Sequence, residues 1–450
     1  MAAKSGYICS ECGYTSRKWL GKCPNCESWG TFEEEVDIKK TLSKISAEDV
    51  ELIRLEEIEL GKEFRMVTKF SEFDRVLGGG LVKGEVVLIS GNPGIGKSTF
   101  LLQLIDEYSK TGNVFYISGE ESLRQIKQRA DRLGVKSKSL YLANETNLEK
   151  IESIILKDNP KIVVIDSIQT LYSENVNSIP GSVTQIRETT LKIIELAKSR
   201  EISFFIVGHI TKDGKVAGPK LLEHMVDAVV QIEGEENNFY RIIRTLKNRF
   251  GSTNEISIFD MKEDGISEIT NPSEFFIGER EEKNVGSIIT PILEGSRVFL
   301  FEVQSLLTNT TFGLPRRIIE GYDKNRVEIL GAVLSKFLKL DLSSKDIFIN
   351  IPGGLTLKDR SSDLAVIFSL ISSINALAVS QKIAAVGELG LRGEIRRVAF
   401  IKNRIKELER LGFKGVYLPT ANKKDLESED FKIKLIYLKN IEELIERVKK

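Results

Sequence analysis

Gly91-Asn92-Pro93-Gly94-Ile95-Gly96-Lys97-Ser98-Thr99 follows the apolar run Val86-Val87-Leu88-Ile89 and leads into Phe100-Leu101-Leu102-Gln103-Leu104-Ile105. A strand, a glycine-rich turn and a helix in that order carry the spacing G-x-x-x-x-G-K-S of a phosphate-binding loop. Glycines let successive backbone N–H groups curl around a β-phosphate, and the helix N-terminus adds positive potential. Lys97 is expected to neutralise the β/γ oxygens of ATP and Ser98 to ligate Mg²⁺, with residues 91–99 as the candidate nucleotide-binding stretch. The competing reading is an ordinary Gly/Pro turn between a strand and a helix.

Working outward, Asn113 to Ser118 reads as a short strand followed by Glu120 and Glu121, Lys161 to Asp166 as an apolar strand ending in a carboxylate, and Ile202 to His209 as a third such run. Apolar runs alternating with helical segments predict a parallel α/β sheet covered on both faces. Ligands of such sheets bind at the carboxyl ends of the strands, which gathers Lys97, Glu120, Asp166 and His209 around one site. Asp166 is the candidate to orient the Mg²⁺ shell, and Glu120 to activate the attacking water. His209 either senses the γ-phosphate or simply ends a strand. Two polar loops after core strands, Ser173 to Ser182 and Thr211 to Lys220 with Lys212, Lys215 and Lys220, are either candidate DNA contacts or ordinary exposed loops.

A chain of 450 residues exceeds what one hydrophobic core supports, so two or three domains are expected. With 41% hydrophobic and 29% charged residues the composition is that of a folded protein, and its zero net charge neither requires nor excludes a nucleic-acid partner. No apolar run is long enough for a bilayer, and Met1 to Gly6 lacks the apolar segment of a signal peptide, so no membrane partner and a cytoplasmic location are expected.

All four cysteines lie at the amino end, as Cys9-x-x-Cys12 and Cys23-x-x-Cys26. Two such knuckles can converge four thiolates on one Zn²⁺. Gly13 and Glu27 hold the positions after each knuckle where positive φ suits the tight turn. Disulfides or free thiols are the alternatives. Trp19 and Trp29, beside Arg17, Lys18 and Lys22, either stack on single-stranded nucleic acid or cover the small metal core. Thr31 to Lys62 shows no strand pattern and reads as a linker, with an amphipathic helix around Ala47 to Glu59.

Beyond Asn271 the pattern resets. Gly286 to Gly295 and Arg297 to Gln304 predict paired strands, Asp346 to Gly354 another strand, and Ser362 to Ile371 a mostly apolar helix, together an α+β domain.

Phe73 to Gly84, Glu120, Asp166 and the pentapeptide Lys247-Asn248-Arg249-Phe250-Gly251 together resemble the bacterial RadA (Sms) family of RecA-like recombination ATPases, and the four-cysteine module and the carboxyl-terminal third fit the same family. The resemblance implies a RecA-like P-loop core in a homo-hexameric ring. It also implies a DNA-dependent ATPase of recombinational repair, acting with RecA to drive branch migration and heteroduplex extension on single-stranded and branched DNA. Lys247 and Arg249, just after the run Phe239 to Leu246, are the residues expected to reach a neighbour's nucleotide or DNA, with a solvated basic turn as the alternative. The last third is similar to the proteolytic domain of Lon. Matching Lys358-Asp359 and Gly387 to Gly393 places Ser362 at the nucleophile position and Lys402 at the base position. Arg360-Ser361-Ser362-Asp363-Leu364 replaces the small, glycine-containing surroundings of that nucleophile, so proteolysis is not expected. A scaffold carrying DNA on Arg316, Arg317, Lys324 and Arg326 is expected instead. The expected division is a zinc module at 1–32, a linker at 33–62, the ATPase domain at 63–272 and the Lon-like domain at 273–450. An ATP-dependent Lon-type protease and a nucleotide-regulated binding module without motor activity are the rival functions.

Overall fold

The structure, a computed structural model, describes residues 6–9, 14–35, 54, 65–209, 218–234, 240–253, 255–277, 283–310, 313–340, 342–353 and 356–448. The chain divides into two compact units, Met1–Glu268 and Ile269–Lys450. The boundary falls ahead of the expected 272/273 because helix Pro272–Ile277 belongs to the second unit, where the Phe276 ring lies 4.9 Å from that of Phe301. Among the described residues no helix is long and apolar enough to cross a membrane.

The first unit is built on a nine-stranded sheet. Its strands run in the order Gly265–Glu268, Ile256–Lys262, Tyr240–Asn248, Ala228–Glu233, Val86–Gly91, Ser203–His209, Ile162–Asp166, Val114–Ser118 and Leu140–Asn144. Neighbours from Ala228–Glu233 to Leu140–Asn144 are parallel, as expected. The first three strands extend the sheet in antiparallel sense, an addition that the alternation of strands and helices did not announce.

Side chains of a strand alternate between faces, so a strand covered on both sides is apolar throughout. Val87 and Ile89 join one core with Phe100, Leu104 and Tyr108 of the helix Lys97–Tyr108. Val86 and Leu88 join a second core with Ile186, Ile193 and Leu196 of the helix Val183–Arg200. Burial of each such side chain stabilises the sheet by about 1.5–3 kcal/mol. The phosphate-loop strand is therefore anchored from both faces.

At the amino end, Thr15–Ser16, Gly6–Cys9 and Phe32–Glu35 form a small antiparallel sheet. This corrects the expected start of the linker at 33. Buried Phe32 packs with Cys9 and Cys23, and its carbonyl accepts from Trp19 Nε1 at 3.1 Å, so the strand continues through Glu35. The expected helix around Ala47 to Glu59 lies outside the described residues, apart from Arg54.

The second unit holds a seven-stranded mixed sheet in the order Arg317–Glu320, Lys345–Asn350, Arg297–Asn309, Ser287–Glu294, Ile383–Ala385, Gly415–Pro419 and Lys434–Leu438. Ser287–Glu294 and Arg297–Asn309 are the expected hairpin, turning at Gly295 with φ of 64°. The helix Asp363–Ile374 is buried from Asp363 to Ser372, which explains an apolar pattern too continuous to show one face.

Candidate nucleotide site and metal centre

The loop strand Val86–Gly91 is buried along its whole length and delivers the chain at Gly91 to a turn whose Asn92, Pro93 and Gly94 are exposed. At Gly91 a side chain is excluded outright, since a Cβ would sit 2.6 Å from the Ile232 carbonyl oxygen. Gly96, at φ 104°, opens the helix Lys97–Tyr108. Lys97 is buried and its Nζ donates to the carbonyls of Gly91 at 2.9 Å and Asn92 at 3.0 Å. Burial holds this ammonium below its ordinary pKa, while Asp166 and Glu120 pull it back up. Those three groups thus share one electrostatic neighbourhood.

Register supplies the convergence. Ser118 pairs with Asp166 across parallel strands, and His209 pairs with Gly91 two residues further along, so four strands end side by side on the same edge of the sheet. Asp166 is buried and accepts from the Tyr116 hydroxyl, which also interacts with Ser98. Glu120 stands exposed beyond the strand end and accepts from Ser167 Oγ. Its neighbour Glu121 instead takes both arms of Arg129, at 2.7 and 2.6 Å. The His209 side chain lies outside the described residues, as do Thr211 to Ala217 of the second candidate DNA loop, with Lys212 and Lys215, and the side chain of Lys220. In the first loop, buried Gln185 binds the backbone of Ser173, Val176 and Ser178 from below.

Lys247 and Arg249 do not join this site within one chain. Strand Tyr240–Asn248 places Arg241 beside the phosphate loop, and six residues at 3.3 Å each put Lys247 about 20 Å away, at the opposite end of the sheet. There Lys247 Nζ donates to the carbonyls of Glu223 at 2.8 Å, His224 at 3.1 Å and Val226 at 2.8 Å, capping the helix Gly218–Met225. Within one chain Lys247 is therefore tied to a helix end rather than solvated, because unpaired carbonyls there attract a cation. Arg249 is 56% exposed, with Asp227 Oδ1 at 3.5 Å, and is the member of the pair open to a neighbour.

In the amino-terminal sheet the thiols of Cys9, Cys23 and Cys26 lie within 4.8 Å of one another, and Cys9 Sγ is 3.6 Å from Cys26 Sγ. Cys12 lies outside the described residues. Glu27 takes φ of 60° after the second knuckle, as its position demands. Three converging thiols fit a soft, tetrahedral ion. Trp19 and Trp29 are 55% and 75% exposed, which argues against their covering a metal core.

Three family models match the chain: the rubredoxin metal binding domain over residues 7–34, the ATPase family KaiC over 66–148 and 143–273, and the Lon protease (S16) C-terminal proteolytic domain over 331–449. The DNA repair protein RadA of Bacillus subtilis (strain 168) is 48% identical over 426 residues, which cover 93% of each chain. That of Aquifex aeolicus (strain VF5) is 45% identical over 443 residues, covering 98% of each. The chain belongs to the RadA family. A solved KaiC-like protein of Pyrococcus horikoshii OT3 aligns with 46% of this chain and 99% of its own, at 20% identity and a TM-score of 0.39.

In the Lon-type region, Ser362 and Lys402 have separate partners. Ser362 Oγ is buried and donates to the Asp359 carbonyl at 2.6 Å, whereas Lys402 Nζ donates to Ser428 Oγ at 2.8 Å and lies 3.3 Å from Glu429. Next to Ser362, buried Asp363 accepts from Tyr322 OH at 2.7 Å, Leu389 N at 3.0 Å and the Arg326 guanidinium. Arg326 is therefore not a surface cation, and neither is Arg317, which donates to the Leu342 carbonyl at 2.8 Å. Of the four basic residues expected on a DNA surface, Arg316 and Lys324 are exposed. Sequence reasoning passed over Arg241 and Tyr116. A charge inside an apolar strand run was the available signal for Arg241; nothing local flagged Tyr116.

Proposed function

We propose that this chain is a DNA-dependent ATPase that works in recombinational repair, driving branch migration and heteroduplex extension on single-stranded and branched DNA together with RecA. The observation that carries the reading is the convergence of Lys97, Asp166 and Glu120 at the strand ends of a chain related along nearly its full length to DNA repair proteins. Residues 91–99 hold the ATP phosphates, and Lys97 leaves the Gly91 and Asn92 carbonyls to bind the β/γ oxygens. Ser98 and Asp166, whose oxygens meet at Tyr116, are the hard donors for Mg²⁺, which offsets phosphate charge when bound. Glu120, fixed by Ser167, accepts the proton of the attacking water. His209, whose backbone pairs with Gly91, registers the γ-phosphate in this reading.

Arg249, with Lys247 behind it, serves the next protomer of a homo-hexameric ring, where a cation supplied in trans stabilises the transferring phosphoryl group. Zn²⁺ held by Cys9, Cys12, Cys23 and Cys26 supplies the folding energy of a module too small for a sufficient core. Trp19 and Trp29 offer exposed flat faces for unpaired bases. The Lon-type domain does not cleave peptides, because its serine and lysine are engaged apart, and it serves as a scaffold. The test is ATP turnover with and without single-stranded DNA, beside a RecA-dependent branch-migration assay. DNA is expected to stimulate turnover, and Glu120→Gln to bind ATP without splitting it. Turnover indifferent to DNA, with no branch migration, refutes the proposal.

A further inference from the structure

The phosphate loop carries few side chains that could hold it in shape. Asn92, Pro93 and Gly94 are exposed, and Gly94 and Gly96 stand at φ of 77° and 104°. Glycine backbones lose the most freedom on ordering, so a loop built from them needs outside anchors if its N–H groups are to point inward before a ligand arrives.

Two cations provide them, and they differ in kind. Lys97 Nζ holds the start of the loop through the Gly91 and Asn92 carbonyls, but it must leave these to meet a phosphate. Arg241 holds the other end. From strand Tyr240–Asn248 its Nε donates to the Ile95 carbonyl at 3.1 Å, while Nη1 donates to the Tyr240 carbonyl at 2.8 Å and fixes the guanidinium plane. The side chain is 8% exposed. In a planar trans peptide the C=O and the following N–H point in opposite directions. A donor fixed on the Ile95 oxygen therefore turns the Gly96 N–H away from Arg241 and into the concave side of the loop, where a phosphate is cradled. The strand that carries Arg241 is reached through the sheet, since Ile232 pairs with both Ile243 and Gly91. The anchor is thus as rigid as the sheet itself.

We propose that Arg241 is a positioning residue for the phosphate loop: it pins the Ile95–Gly96 peptide with its carbonyl outward and so preorganises the amide nest that receives the β-phosphate. The proposal rests on reading residues 91–99 as the nucleotide loop. Because the nest cradles the phosphate common to ADP and ATP, loss of the anchor weakens both alike, and it does so without DNA. An arginine suits the task because its fork reaches two carbonyls at once, whereas lysine offers a single flexible point donor.

The experiment is titration of the full-length protein with fluorescent ADP and fluorescent ATP in the absence of DNA, together with amide hydrogen exchange of the loop. Arg241→Met, similar in length and apolar, is expected to weaken both nucleotides by about tenfold, the scale of one charge-assisted hydrogen bond, and to speed exchange of residues 92–97 alone. Arg241→Lys, which keeps a buried cation, is expected to lose about threefold. Affinity of Arg241→Met within about twofold of the parent overturns the proposal, as does weaker ATP binding with ADP unchanged, which marks direct contact with the γ-phosphate instead. If Arg241→Met does not fold, Arg241→Lys decides, and parental ADP affinity with parental loop exchange overturns it. Lys97→Ala separates the two readings. If that variant binds ADP like the parent, the loop reading falls and this proposal with it; if it loses ADP while Arg241→Met does not, only the role of Arg241 falls.

Discussion

Asp363→Ala removes the acceptor on which the buried polar cluster of the second unit closes. Asp363 takes hydrogen bonds from Tyr322 OH at 2.7 Å, from Leu389 N at 3.0 Å, and from Arg326 through Nε at 3.0 Å and through Nη2. With the carboxylate gone, Arg326 keeps the Leu389 carbonyl at 2.7 Å but loses its countercharge, and the Leu389 N–H loses its acceptor. Removing one partner of a buried pair costs about 3–5 kcal/mol, because the other charge is left uncompensated. For a unit of this size each kcal/mol lowers the melting temperature by about 2–4 °C, so the loss is expected to be roughly 6–20 °C. Calorimetry of the full-length protein measures it. ADP raises the transition of the first unit by mass action, so the transition that ADP leaves in place belongs to the second. ATP turnover by the first unit serves as the check that the variant is otherwise intact. A drop under about 1 kcal/mol refutes the reasoning, since it means that the ion pair only breaks even against its desolvation.

Stability of the first unit should fall as pH rises from about 4.5 toward neutrality. Burial pushes the Glu85 carboxyl up to about 7, with nearby Asp227 adding to it while the Val82 N–H opposes, and burial likewise lifts Asp74 to about 6. The folded state then binds the proton more tightly than the unfolded chain, so this contribution is full below the unfolded value near 4.5 and is lost by about pH 7. Urea midpoints should show the parent losing roughly 2 kcal/mol relative to Glu85→Gln between pH 5 and 8, and parallel pH profiles would contradict this. At the amino end, a thiol-modifying reagent should release about one Zn²⁺ per chain, read with a chromogenic chelator, in keeping with one tetrahedral site. Cys23→Ser should abolish that release, and metal retained by this variant would rule out the assigned ligands.

Much of the site was legible in the chain because its chemistry depends on neighbours in sequence. The glycine and lysine spacing of 91–98 marks a strand-to-helix turn whatever surrounds it, and paired cysteines with two residues between them mark a metal knuckle down to the φ of Glu27. Apolar runs ending in Glu120 and Asp166 locate strand ends, because a parallel sheet buried on both faces leaves polar residues only there. Contacts between distant segments were a different matter. That Lys247 folds back on the end of the helix Gly218–Met225, that Arg326 reaches Asp363, and that Ser362 and Lys402 hold different partners all depend on pairings which no local pattern encodes. A basic residue reads alike in sequence whether it is solvated or holding a buried carbonyl. The three antiparallel strands that bring Arg241 to the loop were hidden for the same reason, since strand order follows from which faces and edges meet in space. By itself, then, the sequence determined that this protein carries a phosphate loop and a four-cysteine metal module. The tertiary structure decided which carbonyls Lys97, Arg241 and Lys247 hold, because that choice rests on burial and on segments that meet only in space.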